Sequence, residues 1–173
     1  MDIIQRNLFA LLRSGALGSN EELEAMSSFK WECLYQLAVM HEVVPYAYKG
    51  LRNCRDQFFL RLTDKQWKEW QETAVKAEKE HQDLNEEDDE FLRPDHLTNP
   101  VLNHKLQDIL DDEHSDMTTR HLLLLFISIV RHILNEGMPI RQLLELGIFL
   151  RQEGDKVDYE TLGKWINSLN LSQ

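Results

Sequence analysis

The sequence lacks paired cysteines. It contains only Cys33 and Cys54, and neither has a neighbour at the spacing of a metal-ligand pair. A cytosolic chain would keep both thiols reduced. We interpret Cys33 as a residue packed in the core, and the sequence assigns no role to Cys54.

The sequence also lacks an excess of basic residues and a long apolar run. Its 19 Lys and Arg face 30 Asp and Glu, for a net charge of −11, which repels phosphate backbones and anionic headgroups. We therefore expect neither nucleic acid nor a membrane as a partner. The longest apolar run, residues 122–130, is about half of the roughly 20 residues that span a bilayer. Since the first residues lack the order of a signal peptide, we expect a cytoplasmic protein.

No stretch alternates like a half-buried strand, and helical periodicity fills most of the chain. The predicted fold class is all-α, a single compact domain with a bundle of about seven to nine helices. An acidic linker at residues 85–98 is predicted to separate an N-terminal helical half, 1–84, from a C-terminal half, 99–173. The helix near 117–136 is apolar on most sides, which predicts the central element of the bundle.

Several helix ends are marked by their residue types. The first helix is predicted over residues 2–13 with Gly15 and Gly18 as its stop, and a short helical turn is predicted at 21–26. The predicted N-cap residues accept hydrogen bonds from backbone N–H groups in the first turn; they are Ser27 or Ser28, Thr63 with Gln66, Asn99, Asp116 and Asp158.

No catalytic motif is complete. His41-Glu42 begins a zinc-protease motif, but the second histidine would have to stand where the chain has Pro45. The acidic stretch at 111–116 has the oxygen ligands of a divalent-cation site, although caps and a solvated turn explain it as well, and we favour the caps. We therefore assign no catalytic nucleophile, no metal ligand and no cofactor.

Two segments resemble a bacterial family of uncharacterised nucleotidyltransferases. Residues 31–51, WECLYQLAVMHEVVPYAYKGL, have the tryptophan, apolar helix, histidine and valine-proline entry typical of its N-terminal helices. Residues 120–171 are similar to its C-terminal region, especially in HLLLLF, the Arg131-His132 pair and EGMPIRQLLELGIFLRQEGDKVDYETL. The resemblance implies a scaffold like that family's accessory helices.

The catalytic part of that family has no counterpart here. The resemblance implies a small α/β core with a glycine-rich turn and an Asp-x-Asp pair on a strand, where both carboxylates face one side and hold a metal and a triphosphate. Residues 63–99 contain a charged helix and the acidic linker instead. The resemblance therefore transfers no catalytic residue and leaves Arg131, His132 and Arg141 as polar positions for a partner or an anionic ligand.

The leading hypothesis is a noncatalytic helical protein, related to nucleotidyltransferase-like proteins, that binds a protein partner or itself as a homo-oligomer. Trp67 and Trp70 form an aromatic stripe on a charged helix, which is either a contact surface or part of the protein's own core, and we favour the core. The alternative hypothesis is a divergent nucleotidyltransferase, which requires Mg²⁺ and a nucleoside triphosphate.

Overall fold

The computed structural model describes residues 1–57, 60–83, 96–112, 115–135 and 140–171, with side chains except at 80–83, 132, 134 and 135. All regular structure in these ranges is helical, which confirms the all-α prediction, and the eight α-helices agree with the predicted number. They are α1 (Ile3–Leu17), α2 (Ser28–Met40), α3 (Val44–Asn53), α4 (Asp64–Asp83), α5 (Pro100–Asp111), α6 (Met117–Asn135), α7 (Ile140–Glu153) and α8 (Tyr159–Ser168).

The chain divides into two compact units. The first comprises Met1–Glu86 with Pro139–Arg141, and the second comprises Glu87–Met138 with Gln142–Gln173. The prediction of one domain stays a prediction, and most of its proposed linker at 85–98 falls outside the described residues. In the described ranges, no helix combines the length and the apolar character needed to cross a membrane.

The predicted helix starts agree with the structure. Each capping side chain accepts a hydrogen bond from a backbone N–H in the first turn of its helix, and of the two serines proposed for α2 it is Ser27 that does so. The caps are Ser27, Thr63, Asn99, Asp116 and Asp158.

Of the two glycines predicted to stop α1, Gly18 is confirmed, since it follows the last helical residue, Leu17, with a φ of 69°, and Gly15 is wrong, since it lies inside the helix. Gly15 instead permits close packing against α3, because a Cβ there would overlap the carbonyl oxygen of Tyr46 and approach the backbone nitrogen of Gly50 to 2.8 Å. A Cβ on Gly50 would in turn overlap the carbonyl oxygen of Leu11. The two helices therefore meet backbone to backbone, at positions where only glycine fits.

The short helical turn predicted before α2 is also wrong, since those residues are not helical. The Nδ2 of Asn7 donates to the Glu24 carbonyl oxygen at 2.8 Å, and its Oδ1 accepts the Glu24 N–H at 2.9 Å. Gln57 makes the same two bonds, at 2.6 and 2.9 Å, with the Glu21 carbonyl oxygen and the Leu23 N–H. Two side-chain amides thus pair backbone groups that a helix would pair internally.

The carboxylate of Glu21 connects this segment to α1 through hydrogen bonds from Arg13. Hydrogen bonds from Arg13, at 2.6 and 3.0 Å, and from Ser19, at 2.8 Å, lower the pKa of Glu21 from 4.5 to about 2. A lowered pKa means that the folded state favours the ionised carboxylate, so its contribution to stability is complete above pH 4.5 and is lost as the pH falls toward 2.

We expect Glu21→Gln to lower the melting temperature at neutral pH and to melt like the wild type near pH 2. Circular dichroism melts of both proteins between pH 2 and 7 measure the difference, which should shrink below pH 4.5. Glu22→Gln is the control, because the neighbouring Glu22 is exposed. A difference that is constant across this pH range would contradict the role given to the ionised carboxylate.

In the second unit α5, α6, α7 and α8 share one core. Its buried members include Leu106, Leu122, Leu123, Ile127, Phe149, Leu162 and Leu169. The predicted central helix near 117–136 corresponds to α6, which supplies three of these residues. The exposed His121 of α6 packs its ring edge-on against Phe149, with the ring centroids 4.8 Å apart.

Candidate interaction surface

One face of α2 packs within the first unit. Its buried side chains occur at the spacing of a single helical face, and they are Trp31, Leu34, Tyr35 and Ala38. The ring of Tyr35 contacts Trp70 of α4 edge-on, with centroids 5.1 Å apart, and its hydroxyl lies 2.7 Å from the Thr73 hydroxyl. These contacts fix both the position of α2 and its rotation about its own axis.

A second set of apolar side chains lies on the other side of α2, and we call it the outer stripe. It consists of Phe29, Cys33, Leu37 and Met40. At about 100° of rotation per residue these four positions fall within an arc of about 80°, roughly opposite the buried face. Phe29 is 75% exposed and Met40 is 65% exposed, while Cys33 and Leu37 are partly exposed. The helix is therefore apolar on two faces; the inner face is buried, and the outer stripe is exposed at both of its ends.

The prediction that Cys33 packs in the core is wrong, and Cys54, to which the sequence assigns no role, is the buried cysteine. Cys33, predicted to pack in the core, is partly exposed on the outer stripe, because Leu34 and Tyr35 occupy the inward positions. Cys54 is the buried one, and burial raises the pKa of its thiol. An accessible thiol at position 33 is therefore available for site-specific labelling of the outer stripe.

The outer stripe carries few charges, and its two ends differ in sign. Lys30 is exposed near the start of α2, and Glu42 is exposed just beyond its end, with a φ of 57°. Along one side of the stripe the Nε2 of Gln36 donates to the carboxylate of Glu32 at 3.1 Å. The basic end coincides with the positive end of the helix dipole and the acidic end with the negative one.

The two tryptophans proposed as a contact surface differ in exposure. Trp70 is 1% exposed and packs on Tyr35, so its indole belongs to the core of the first unit and not to a contact surface. Trp67 is partly exposed, and the guanidinium of Arg55 lies 5.9 Å from its ring centroid, which is within cation–π range. Only Trp67 of this pair is therefore accessible to a partner.

The three polar positions suggested by the resemblance are not assembled into a site by the described contacts. Arg131, on α6, donates to the carbonyl oxygen of His96 at 3.3 Å and belongs to the second unit. Arg141, at the start of α7, is grouped with the first unit. The side chain of His132 lies outside the described residues. Their role in anion or partner binding stays a prediction.

The acidic stretch at 111–116 is described only in part, since residues 113 and 114 fall outside the described residues. Asp116 caps α6 by accepting the N–H and the hydroxyl of Thr119, both at 2.8 Å, and these bonds hold the pKa of its carboxyl below the usual range. Within the described part of the chain, no three His, Cys, Asp or Glu side chains are grouped so that they could hold a metal ion.

Comparison of the sequence and the structure with known proteins found no related protein. No family model matches the chain, and neither a curated protein nor a solved structure matches it significantly. The resemblance to nucleotidyltransferases therefore rests on residues 31–51 and 120–171 of the sequence.

Proposed function

We propose that this chain is a noncatalytic helical protein, related to nucleotidyltransferase-like proteins, that acts by associating with a protein through the outer stripe of α2. The observation that carries the proposal is that Phe29 and Met40, on the same face of one helix, are 75% and 65% exposed. Isolated exposed apolar residues are normal on protein surfaces, whereas a contiguous apolar surface marks an interaction site.

The residue types of the outer stripe suit a protein interface. Aromatic side chains and methionine are enriched at such interfaces, and burial of Phe29 and Met40 contributes roughly 1.5 to 3 kcal/mol each. Because the inner face of α2 is already packed, the stripe is held in place before a partner arrives. Association therefore loses less conformational entropy than it would with a mobile segment.

Replacing Phe29 and Met40 with glutamate in one variant is expected to raise the dissociation constant of association at least about 100-fold, because the substitutions place two charges in an apolar contact. Sedimentation of the purified chain measures self-association. Quantitative capture of proteins from cell extract, compared between wild type and variant, measures association with other proteins.

Val101→Glu is the matched control, because Val101 is an apolar side chain that is 67% exposed and belongs to α5 of the second unit, whereas the outer stripe belongs to the first. It should associate like the wild type, and all three proteins should have the same helical circular dichroism spectrum. Equal association by the Phe29 and Met40 variant and by the wild type would remove the outer stripe as the interaction surface.

The alternative hypothesis, a divergent nucleotidyltransferase, predicts that the protein binds a nucleotide. A nucleotide that binds only the folded state raises the melting temperature, so a screen of ATP, GTP, CTP and UTP, each with and without Mg²⁺, separates the two functions. The noncatalytic proposal expects no shift with any of them. A magnesium-dependent shift with one nucleotide would contradict it.

A further inference from the structure

The outer stripe has different side chains at its two ends. Phe29 lies in the first turn of α2 and Met40 is its last residue, with the smaller Cys33 and the polar Gln36 near the middle. The thioether of methionine makes favourable contacts with aromatic rings, and its flexible chain adapts to their shape. A helix that runs in the opposite direction and carries the same residues would place a methionine against Phe29 and a phenylalanine against Met40.

The charges at the two ends are also complementary to each other. Lys30 stands at the start of α2 and Glu42 just past its end, and both are exposed. Two copies of α2 packed antiparallel bring Lys30 of each copy to the end of the other where Glu42 lies. The same arrangement opposes the two helix dipoles, so unlike partial charges also meet at both ends.

The local charge opposes a second copy of the chain much less than the overall charge does. The chain carries a net charge of −11, which opposes association of two copies in general. The segment from Ser28 to Glu42 contains Lys30, Glu32 and Glu42 as its charged residues and has a net charge of −1. The outer stripe is thus a surface where two copies meet little of the like charge that the rest of the chain carries.

We propose that the outer stripe is covered by the outer stripe of a second copy of this chain, with the two α2 helices antiparallel about a two-fold axis. Phe29 then faces Met40 of the second copy, Cys33 faces Gln36, and Lys30 pairs with Glu42. A two-fold interface repeats each of these contacts twice. This inference rests on the proposed function and names its partner.

A charge exchange tests the antiparallel pairing. Lys30→Glu alone and Glu42→Lys alone each place like charges together at both ends of the interface, so each should raise the dimer dissociation constant about tenfold. The variant with both substitutions should return to within about threefold of the wild type, because the ion pair is re-formed with its charges reversed. Sedimentation equilibrium of the full chain at low ionic strength measures all four constants.

The recovery in the double variant has one explanation. Lys30 and Glu42 of the same chain are about 18 Å apart along the helix, too far for a direct ion pair, so a restored interaction must join two chains. Higher salt should reduce the difference between the single variants and the wild type. Equal circular dichroism spectra establish that all variants fold.

The outcomes separate this inference from the proposed function. A wild-type chain that is monomeric at every concentration overturns the second copy as partner, and the capture comparison with the Phe29 and Met40 variant then still tests binding of another protein. A dimer that is weakened by the Phe29 and Met40 variant but not restored by the charge exchange overturns the antiparallel pairing. A dimer that none of these substitutions affects overturns both the inference and the outer stripe as the interaction surface.

Discussion

Gly50→Ala is expected to destabilise the first unit by about 3 kcal/mol or more, at or above the upper end of ordinary overpacking. The new Cβ would overlap the carbonyl oxygen of Leu11 and lie 2.8 Å from its carbonyl carbon. Since both atoms belong to the backbone of α1, no side-chain rotation relieves the overlap, and the helices must separate. Gly15→Ala should have a similar effect, because its Cβ would meet the backbone of Tyr46 in α3.

Two other glycines provide the controls for this prediction. Gly18→Ala meets no atom within 4 Å but keeps a φ of 69°, so it should cost only about 1 kcal/mol through backbone strain. Gly147, inside α7, has open space around its missing Cβ, and alanine there should stabilise the second unit by about 0.5 to 1 kcal/mol.

Urea unfolding followed by circular dichroism and tryptophan fluorescence measures these differences. The expected order is a large loss for Gly15→Ala and Gly50→Ala, a small loss for Gly18→Ala, and a gain for Gly147→Ala. If Gly50→Ala unfolded at the same urea concentration as Gly18→Ala, the close contact between α1 and α3 would not determine the stability of the first unit.

The helix starts could be predicted because the residues that determine them are neighbours in sequence. Ser27 binds the N–H of Lys30, Thr63 that of Gln66, and Asp158 that of Thr161. Each bond spans three residues, so the residue types alone indicate the geometry. Local periodicity is similarly sufficient for the all-α fold class.

The errors in the first unit have a common cause, which is that the deciding atoms lie far along the chain. From the local sequence Gly15 is predicted to stop a helix, whereas in the structure it lies against the Tyr46 carbonyl oxygen of α3. The segment before α2 is predicted to be helical, whereas in the structure its backbone is bound by Gln57, 36 residues after Glu21. A glycine that permits close packing and a glycine that ends a helix have the same local sequence signal.

The helical spacing in α2 predicts one apolar face with Trp31, Leu34, Leu37 and Ala38. In the structure Trp31, Leu34 and Ala38 are buried, whereas Leu37 is partly exposed on the outer stripe. Which face is buried depends on the helices that pack against it. In the structure that choice follows from the contact of Tyr35 with Trp70 and Thr73, two residues that lie on α4.

Trp70→Ala is expected to destabilise the first unit by about 3 to 5 kcal/mol, as for other large aromatic residues removed from a core. Trp70 is 1% exposed, and its loss leaves a cavity beside the ring of Tyr35. Trp67→Ala should cost only about 1 kcal/mol, because Trp67 is partly exposed and its described aromatic contact is the cation–π interaction with Arg55. Urea unfolding of the two single variants measures the difference.

Because Trp70 is buried and Trp67 is partly exposed, only Trp67 is suitable for testing whether the aromatic stripe takes part in association. A variant that replaces Trp67 and Trp70 together loses core packing as well as surface, so a loss of association would not distinguish destabilisation of the first unit from loss of a contact surface. Trp67→Ala keeps the core intact, so its sedimentation reports on the surface, and we expect it to associate like the wild type because the outer stripe of α2 is unchanged. A weaker association of folded Trp67→Ala would extend the interface to α4, whereas equal stability of Trp67→Ala and Trp70→Ala would contradict the packing of Trp70 against Tyr35.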